Sequence, residues 1–427
     1  MRYEPINNHL FVENRKKFCA RMKTNSLAIF HSNDIMPTNA DGTMPFKQNS
    51  DLFYLTGIDQ EETTLILFPH AINEDHREIL FVKETNDHIA VWEGAKLDKE
   101  QSTAISGIQT IIWGNELNDL LHTLIPQSAF IYLNSNEHGR AGTEVETRDD
   151  RLGHKIRAQF PLMKWERSAP ILHQLRFVKS EIEIAVIQHA CNITNKAFHR
   201  ILKYTKAGKM EYELEAEITH EFLMNRSRGH AYQPIIAGGA NACVLHYIDN
   251  NDKLNNGDLI LMDFGAEYAN YNSDMTRVIP VNGKFNERQK AIYNSVLYVM
   301  EEAKKMLVPN NNWTAYNKEV GKIMEHELIK LDLLDKTDVR NQNPKQPLYR
   351  QYFMHGTSHS LGLDVHDVDD RSLPFAENMI FTCEPGIYIP EENIGIRIEN
   401  DIVVKSNPID LMGDIPITVE EIEDLMA

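Results

Sequence analysis

The chain has 427 residues, 42% of them hydrophobic and 25% charged, and 44 Lys and Arg against 62 Asp and Glu give a formal net charge of −18. This length suits two or three domains with sizeable cores, and the acidity argues against nucleic acid or an anionic membrane surface as a partner. No run approaches the ~18 apolar residues of a membrane span, the opening MRYEPINNHLFVENRKK lacks the apolar stretch of a signal peptide, and Cys19, Cys191, Cys243 and Cys383 form no CxxC pair, so a reducing cytoplasm is the simplest compartment.

From the N-terminus, short apolar or β-branched runs alternate with polar stretches. SLAIFHS from Ser26, DLFYLTG from Asp51, TTLILF from Thr63, EILFVKE from Glu78 and AFIYLN from Ala129 all read as strands. The charged stretch over 136–160 reads as a helix with a solvated face. Together these predict an N-terminal α/β domain over 1–172. A boundary near Pro170–Arg176 opens a second domain over 176–427. Ser180 followed by Glu183 is a capping box, and helical spacing continues through Ile187, Cys191, Phe198 and Ile201. A second helix runs through Leu214, Ile218 and Phe222. QPIIAGG, DLILMDFG and TRVIPV then read as strands. Helices follow near 287–307 and 315–330, and strands return in ENMIFTCEPGIYIP and IGIRIENDIVV. Two helices followed by strands thus occur twice, which suggests a duplicated architecture.

Three motif-like stretches carry no chemistry. His326-Glu-Leu-Ile-Lys330 falls one histidine short of a zinc-binding helix motif, and the Gly238-Gly239 and Val281–Lys284 segments lack the spacing of a phosphate loop. The chemistry lies in two apolar hairpins that carry acids. A turn centred between Tyr268 and Ala269 would make Asp263 and Asp274 a direct cross-strand pair, and like charges so placed destabilise a sheet. A turn centred on Glu391 and Glu392 would set Glu384 opposite Glu399 and Gly386 opposite Arg397. The two-residue period of a strand then puts Tyr388 and Arg397 on the face of the two glutamates. Acids within apolar strands lose hydration, so a cation is the expected compensation. Between the hairpins, MHGTSHSLGLDVHD offers His355, His359 and His366. One histidine with four carboxylates is a mixed oxygen and nitrogen set suited to Mn, Co, Fe or Zn. Four negative charges balance two divalent ions, which points to a dinuclear centre.

VLHY (244–247), MDFGAEYANYNSDMTR (262–277), HGTSHSLGLDVHD (355–367), EPGIY (384–388) and GIRIEND (395–401) resemble the pita-bread metallopeptidases, and among them the Xaa-Pro aminopeptidase (aminopeptidase P) subgroup. The resemblance covers residues 176–405. The N-terminal region is similar more loosely, through DLFYLTG and the VWEG around Trp92. The resemblance implies an α/β domain followed by a pita-bread domain, an α+β fold of antiparallel sheet flanked by helices. It implies Asp263 on one metal, Asp274 and Glu399 bridging two, and His359 and Glu384 completing the second. His246, His366 and Glu384 would be catalytic, and His355, Arg397 and Tyr388 would lie at the substrate, the last two also supporting the ligands. The implied reaction is hydrolysis of an N-terminal Xaa-Pro bond, with two divalent ions, Mn²⁺ first and Co²⁺, Fe²⁺ or Zn²⁺ as alternatives. The implied assembly is a homodimer or homotetramer. Prolidase, restricted to dipeptides, is the nearest alternative, and a non-catalytic binding module on the same fold is a more distant one. The 389–394 loop is short, so contacts that a longer loop would make to substrate are not expected.

Overall fold

A computed structural model describes residues 2–142 and 144–427. The chain divides into two compact units, Tyr3–Arg176 and Phe177–Ala427.

The first unit contains, in order, α1 (His9–Cys19), β1 (Ser26–His31), α2 (Ser50–Thr56), β2 (Thr64–Leu67), β3 (Glu78–Val82), α3 (Asp87–Glu93), α4 (Lys99–Ser106), β4 (Thr110–Trp113), α5 (Leu117–Leu124), β5 (Phe130–Leu133), α6 (Arg148–Gln159) and β6 (Lys164–Arg167), with α7 (Ala169–Phe177) at its end. The strands form one mixed sheet in the order β4-β3-β2-β1-β5-β6. Leu27 and Ile29 of β1, Ile66 of β2, Ile79 and Phe81 of β3 and Ile131 of β5 meet Leu121, Leu124 and Ile156 of the helices in one core. Apolar β-branched runs buried on both faces make such strands legible in sequence.

DLFYLTG corrects the strand expected there: it is helix α2. Asn49 caps it by accepting from the Asp51 and Leu52 N–H groups, and Gly57, at φ 68°, ends it. Leu52 through Thr56 are all buried, so the run shows no alternation, and periodicity cannot separate a buried strand from a buried helix turn. The helix expected over 136–160 begins only at Arg148, where Thr147 and Asp150 form a capping box. Thr143, inside the expected span, lies outside the described residues.

The second unit opens with α8 (Glu181–Tyr204), whose Ser180–Glu183 capping box is formed, and α9 (Glu211–Met224). Then come β7 (Gly229–His230), β8 (Ile235–Gly238), β9 (Leu259–Phe264), β10 (Ala266–Tyr268), β11 (Tyr271–Asn272) and β12 (Met275–Pro280). Helices α10 (Glu287–Lys305), α11 (Trp313–Lys330) and α12 (Lys336–Asn341) follow, then β13 (Ile380–Cys383), β14 (Gly386–Ile389), β15 (Ile394–Arg397), β16 (Asn400–Val403), β17 (Ile409–Asp410) and α13 (Val419–Met426). The pairings are antiparallel: β12-β9-β8, β13-β16-β17, β14-β15 and the short β11-β10-β7. Helix α8 packs on β10 and β11, and α10 packs on β13, β14 and β15. Among the described residues no helix is long and apolar enough to cross a membrane.

The two hairpins differ in how far the expected register holds. In β14-β15, Gly386 faces Arg397 as expected, and β13-β16 continues the same register with Cys383 opposite Asn400. Glu384 and Glu399 sit in the break between these ladders. In the first hairpin the register is shifted: Asp263 faces Thr276, not Asp274. The turn is Ala269-Asn270, both left-handed at φ 53° and 66°, and Tyr268 pairs with Tyr271. A two-residue turn with both positions at positive φ is the hairpin connection whose twist matches the strands, and it moves the centre one residue toward the C-terminus. Asp274 then lies between β11 and β12, where the chain bends over Gly265. A Cβ at Gly265 would stand 1.7 Å from the Ser273 carbonyl oxygen, so only glycine fits.

His31 of β1 gives the first unit an acid-sensitive point. Its Nδ1 lies 2.7 Å from Thr64 Oγ1. Burial, followed by the charges of Arg148 and Arg151, pushes its pKa down to about 3. The unfolded chain therefore binds a proton near the ordinary value of 6.5 that the folded chain refuses. The stability conferred is complete above that value and is lost as pH falls toward 3, by about 1.4 kcal/mol per unit. Denaturant unfolding at about pH 7.5 and about pH 5.5 should show this slope reduced by that amount in His31→Asn. An identical slope in the variant would show that His31 is not the group responsible.

Candidate metal centre

Five side chains of the second unit converge from five places in the sequence. Asp263 comes from β9, Asp274 from the bend before β12, His359 from the 353–367 loop, Glu384 from the link between β13 and β14, and Glu399 from the link between β15 and β16. The ligating atoms of Asp274, His359 and Glu399 all lie within 4.8 Å of one another. His359 Nε2 is 3.4 Å from Asp274 Oδ2 and 3.8 Å from Glu384 Oε1.

Neighbouring groups fix the direction of each donor. The His359 ring approaches the Ser360 carbonyl through Nδ1 at 3.0 Å, which leaves Nε2 to face the acids. Its backbone is clamped from both sides: His359 N–H donates to Thr382 Oγ1, and Thr382 N–H donates to the His359 carbonyl. Asp401, fully buried, accepts the Asp274 N–H at 3.0 Å and the Cys191 thiol at 3.4 Å through one oxygen. Thr276 Oγ1 donates to Glu399 Oε2 at 2.7 Å. Arg277 ties β12 to the Glu399 segment, donating to the carbonyls of Thr276 and Glu399 and to Asn400 Oδ1.

The electrostatics are those of acids crowded together out of water. Burial pushes the Glu384 carboxyl up to about 7, against the lowering effects of His359 and Arg397. Burial and then the neighbouring carboxylates hold Glu399 well above the usual range. Asp263 is raised by burial too, although Arg397 opposes it. Burial works against a charged His359, but Asp274 and Glu384 outweigh it and lift the ring to about 9. One buried oxygen, Glu399 Oε1, has no hydrogen-bond partner. An orphaned buried carboxylate oxygen beside three further acids and an imidazole nitrogen is what a divalent cation with oxygen and nitrogen ligands requires. The residues fit such an ion.

The outlying residues reach this cluster to different degrees. His355 Nε2 is 2.8 Å from Tyr388 Oη, and its Nδ1 is 3.7 Å from Glu384 Oε2. Burial and the Arg397 charge pull the His355 pKa down to about 4. Arg397 donates to Thr276 Oγ1, Tyr388 Oη and Asp263 Oδ2, so both it and Tyr388 support the acids, as their shared strand face predicts. The exposed His366 ring lies 4.4 Å from that of His359. His246 is exposed after β8 and lies close enough for its charge to weaken His355 as a base.

Sequence reasoning missed Tyr232. Its hydroxyl lies 2.5 Å from Oδ1 of both Asp263 and Asp274, so it joins the two aspartates that the shifted register does not pair. Nothing in AYQPII marks that tyrosine, because it lies in an irregular segment before β8 with no period to extrapolate. Thr276, Thr382 and Asp401 were missed as well. Thr276 and Asp401 lie inside the recognised motifs, and their position there was the available signal.

Residues 185–406 match metallopeptidase family M24, and residues 11–132 match the aminopeptidase P N-terminal domain. The Xaa-Pro aminopeptidase of Escherichia coli (strain K12) is 34% identical over 439 residues, covering 99% of this chain and 98% of that protein. The solved structure of Pseudomonas aeruginosa aminopeptidase PepP matches with a TM-score of 0.90 at 30% identity, over 99% of this chain and 98% of that one. Zinc-substituted E. coli aminopeptidase P in complex with product matches with a TM-score of 0.87 at 32% identity, over 99% of each chain.

Groups that orient metal ligands commonly alter affinity by about 10–100-fold when removed. Tyr232→Phe should therefore weaken Mn²⁺ binding by about that factor in a calorimetric titration, with the fold intact by circular dichroism. An unchanged affinity would remove Tyr232 from the site.

Proposed function

The chain belongs to metallopeptidase family M24, in its Xaa-Pro aminopeptidase branch, and from that premise we propose that it removes the N-terminal residue from peptides whose second residue is proline. The observation that carries this reading is the grouping of Asp274, His359 and Glu399, with Glu384 beside His359, Asp263 joined to Asp274 through Tyr232, and one buried Glu399 oxygen unpartnered. These five would hold two divalent ions, Mn²⁺ first among them. Asp263 would serve one ion, His359 and Glu384 the other, and Asp274 and Glu399 both. Bound divalent metal supplies a water acidified toward about 7 and a counter-charge for the tetrahedral oxyanion.

The chain's own residues do the rest. Glu384 takes the proton of the attacking water and returns it to the departing proline nitrogen. Its Oε1 faces His359 and its Oε2 faces His355, so it is set between the ligand group and the outer histidines. His246 and His366, both exposed to an approaching peptide, orient the scissile carbonyl and donate to the developing oxyanion. His355, neutral at pH 7, holds Tyr388 and borders the same space. Arg397 is engaged through each guanidinium nitrogen by Thr276, Tyr388 and Asp263. It is therefore a brace for Asp263 and not a clamp for a proline carboxylate. That favours peptides longer than dipeptides and sets prolidase aside. The complete acid and histidine set likewise speaks against a non-catalytic module. Four free cysteines suit a cytoplasmic protein, and we take the assembly to be a homodimer or homotetramer.

Three measurements test this reading. Elemental analysis of fully active protein should find about two divalent ions per chain, and chelation should abolish turnover; full activity in metal-free protein would defeat the scheme. Glu384→Gln should lower kcat by about 10²–10⁴-fold, the usual range for a general base, and near-normal turnover would release Glu384 from that role. With Mn²⁺ held constant, kcat/KM for Ala-Pro-Ala should equal or exceed that for Ala-Pro, and Ala-Ala-Ala should not be cleaved. Activity confined to Ala-Pro would make the enzyme a prolidase. Equal activity on Ala-Ala-Ala would leave only a general aminopeptidase.

A further inference from the structure

His246 lies on a segment with no regular structure to fix it. A short 3-10 helix, Gly239–Cys243, leaves β8, and His246 follows in an exposed turn. One side of this segment is pressed on β15. A Cβ at Gly395 would stand 2.1 Å from the Ala242 carbonyl oxygen, and the Cys243 thiol donates to the Ile394 carbonyl at 3.4 Å.

The other side closes on one carboxylate. Glu211, the first residue of α9, is fully buried. Its Oε1 accepts from the Gly238 N–H at 2.7 Å and from Asn241 Nδ2 at 3.2 Å. Its Oε2 accepts from Tyr247 Oη at 2.7 Å and from the Asp252 N–H at 2.9 Å. The Glu211 N–H itself donates to the Asp252 carbonyl at 3.0 Å. None of the four donors belongs to α9, so this side chain is not capping its own helix. The donors flank His246 in sequence on both sides, and none of them comes from the four acids and one histidine of the candidate metal centre. Only an ionised carboxylate offers acceptors to all four. An amide would turn an N–H toward two donors and leave them unpaired. The helix N-terminus further favours a charge at this position.

We propose that Glu211 is a positioning residue for peptide hydrolysis, holding the 238–252 segment so that His246 faces the metal centre. The proposal rests on the role given above to His246. In Glu211→Gln, amide exchange over 239–250 should speed up by about 10–100-fold, as loss of hydrogen bonds to a charged group implies. Metal content should stay at the wild-type value. The value of kcat/KM for Ala-Pro-Ala should fall at least about tenfold, and this fall should vanish in a His246→Ala background, because residues acting through one another are not additive. A general structural defect would instead lower activity by the same factor in both backgrounds, and that result, or loss of metal, would overturn the proposal. If Glu211→Gln does not fold, Tyr247→Phe removes one of the four donors without touching the buried charge, and it should give the same pattern in weaker form. Wild-type loop exchange in the variants would also overturn the proposal. A wild-type chain inactive on Ala-Pro-Ala would overturn the reading beneath it, and loop exchange, read without substrate, tells that failure apart from failure of the anchor.

Discussion

Four carboxylates drawn together out of water set the terms for the second unit. Each of Asp263, Glu384 and Glu399 is pushed toward protonation by burial, and buried like charges cost the folded state unless a cation meets them. A chain could avoid this by letting the acids drift apart. Here it cannot, because each acid is fixed to a strand or to a link one or two residues from a strand, and those strands are paired. Sheet pairing enforces the crowding, and the crowding creates the demand for metal.

Much of the unit's buried polar chemistry supports that arrangement. Arg277 joins β12 to the Glu399 segment through main-chain carbonyls. Thr276 is shared by Glu399 and Arg397. Asp401 takes the main-chain N–H of Asp274, and its second oxygen is buried without a partner. Such groups add little net stability, but once buried they are costly to disturb, so they hold the clustered acids within narrow limits. The segment that bears His246 lacks strand pairing, and Glu211 supplies an equivalent constraint from its four donors. Under the proposed reaction, rigid acids on paired strands and a histidine on an anchored turn would be two solutions to one requirement, that the reacting groups be placed before the substrate arrives.

The clustered acids and histidine were legible because their chemistry conflicts with their surroundings. Asp263 among Leu261, Met262 and Phe264 has no reason to lie in an apolar strand unless something receives its charge. The register of β14 and β15 was legible too, because a four-residue connection and period-two alternation leave little freedom. The register of β9 and β12 was not. Alternation is compatible with either turn centre, and the choice fell to the left-handed pair Ala269-Asn270. DLFYLTG failed for a related reason: a run buried on every side carries no period, and its cap residues decided for the helix.

Sequence by itself determined the class of chemistry, the four acids and one histidine proposed to carry it, the capping box that opens α8 and the twice-repeated run of two long helices followed by strands in the second unit. These follow from local rules, namely hydrogen-bond capping, strand alternation and the cost of a charge among apolar neighbours, each visible within a few residues. Only the tertiary structure decided which groups stand behind the ligands. Tyr232 meets two aspartates 31 and 42 residues away, and Glu211 gathers donors up to 41 residues distant. Contacts of that separation depend on how β8, β9, α9 and the segments between them pack together, and no periodicity in the chain encodes that packing.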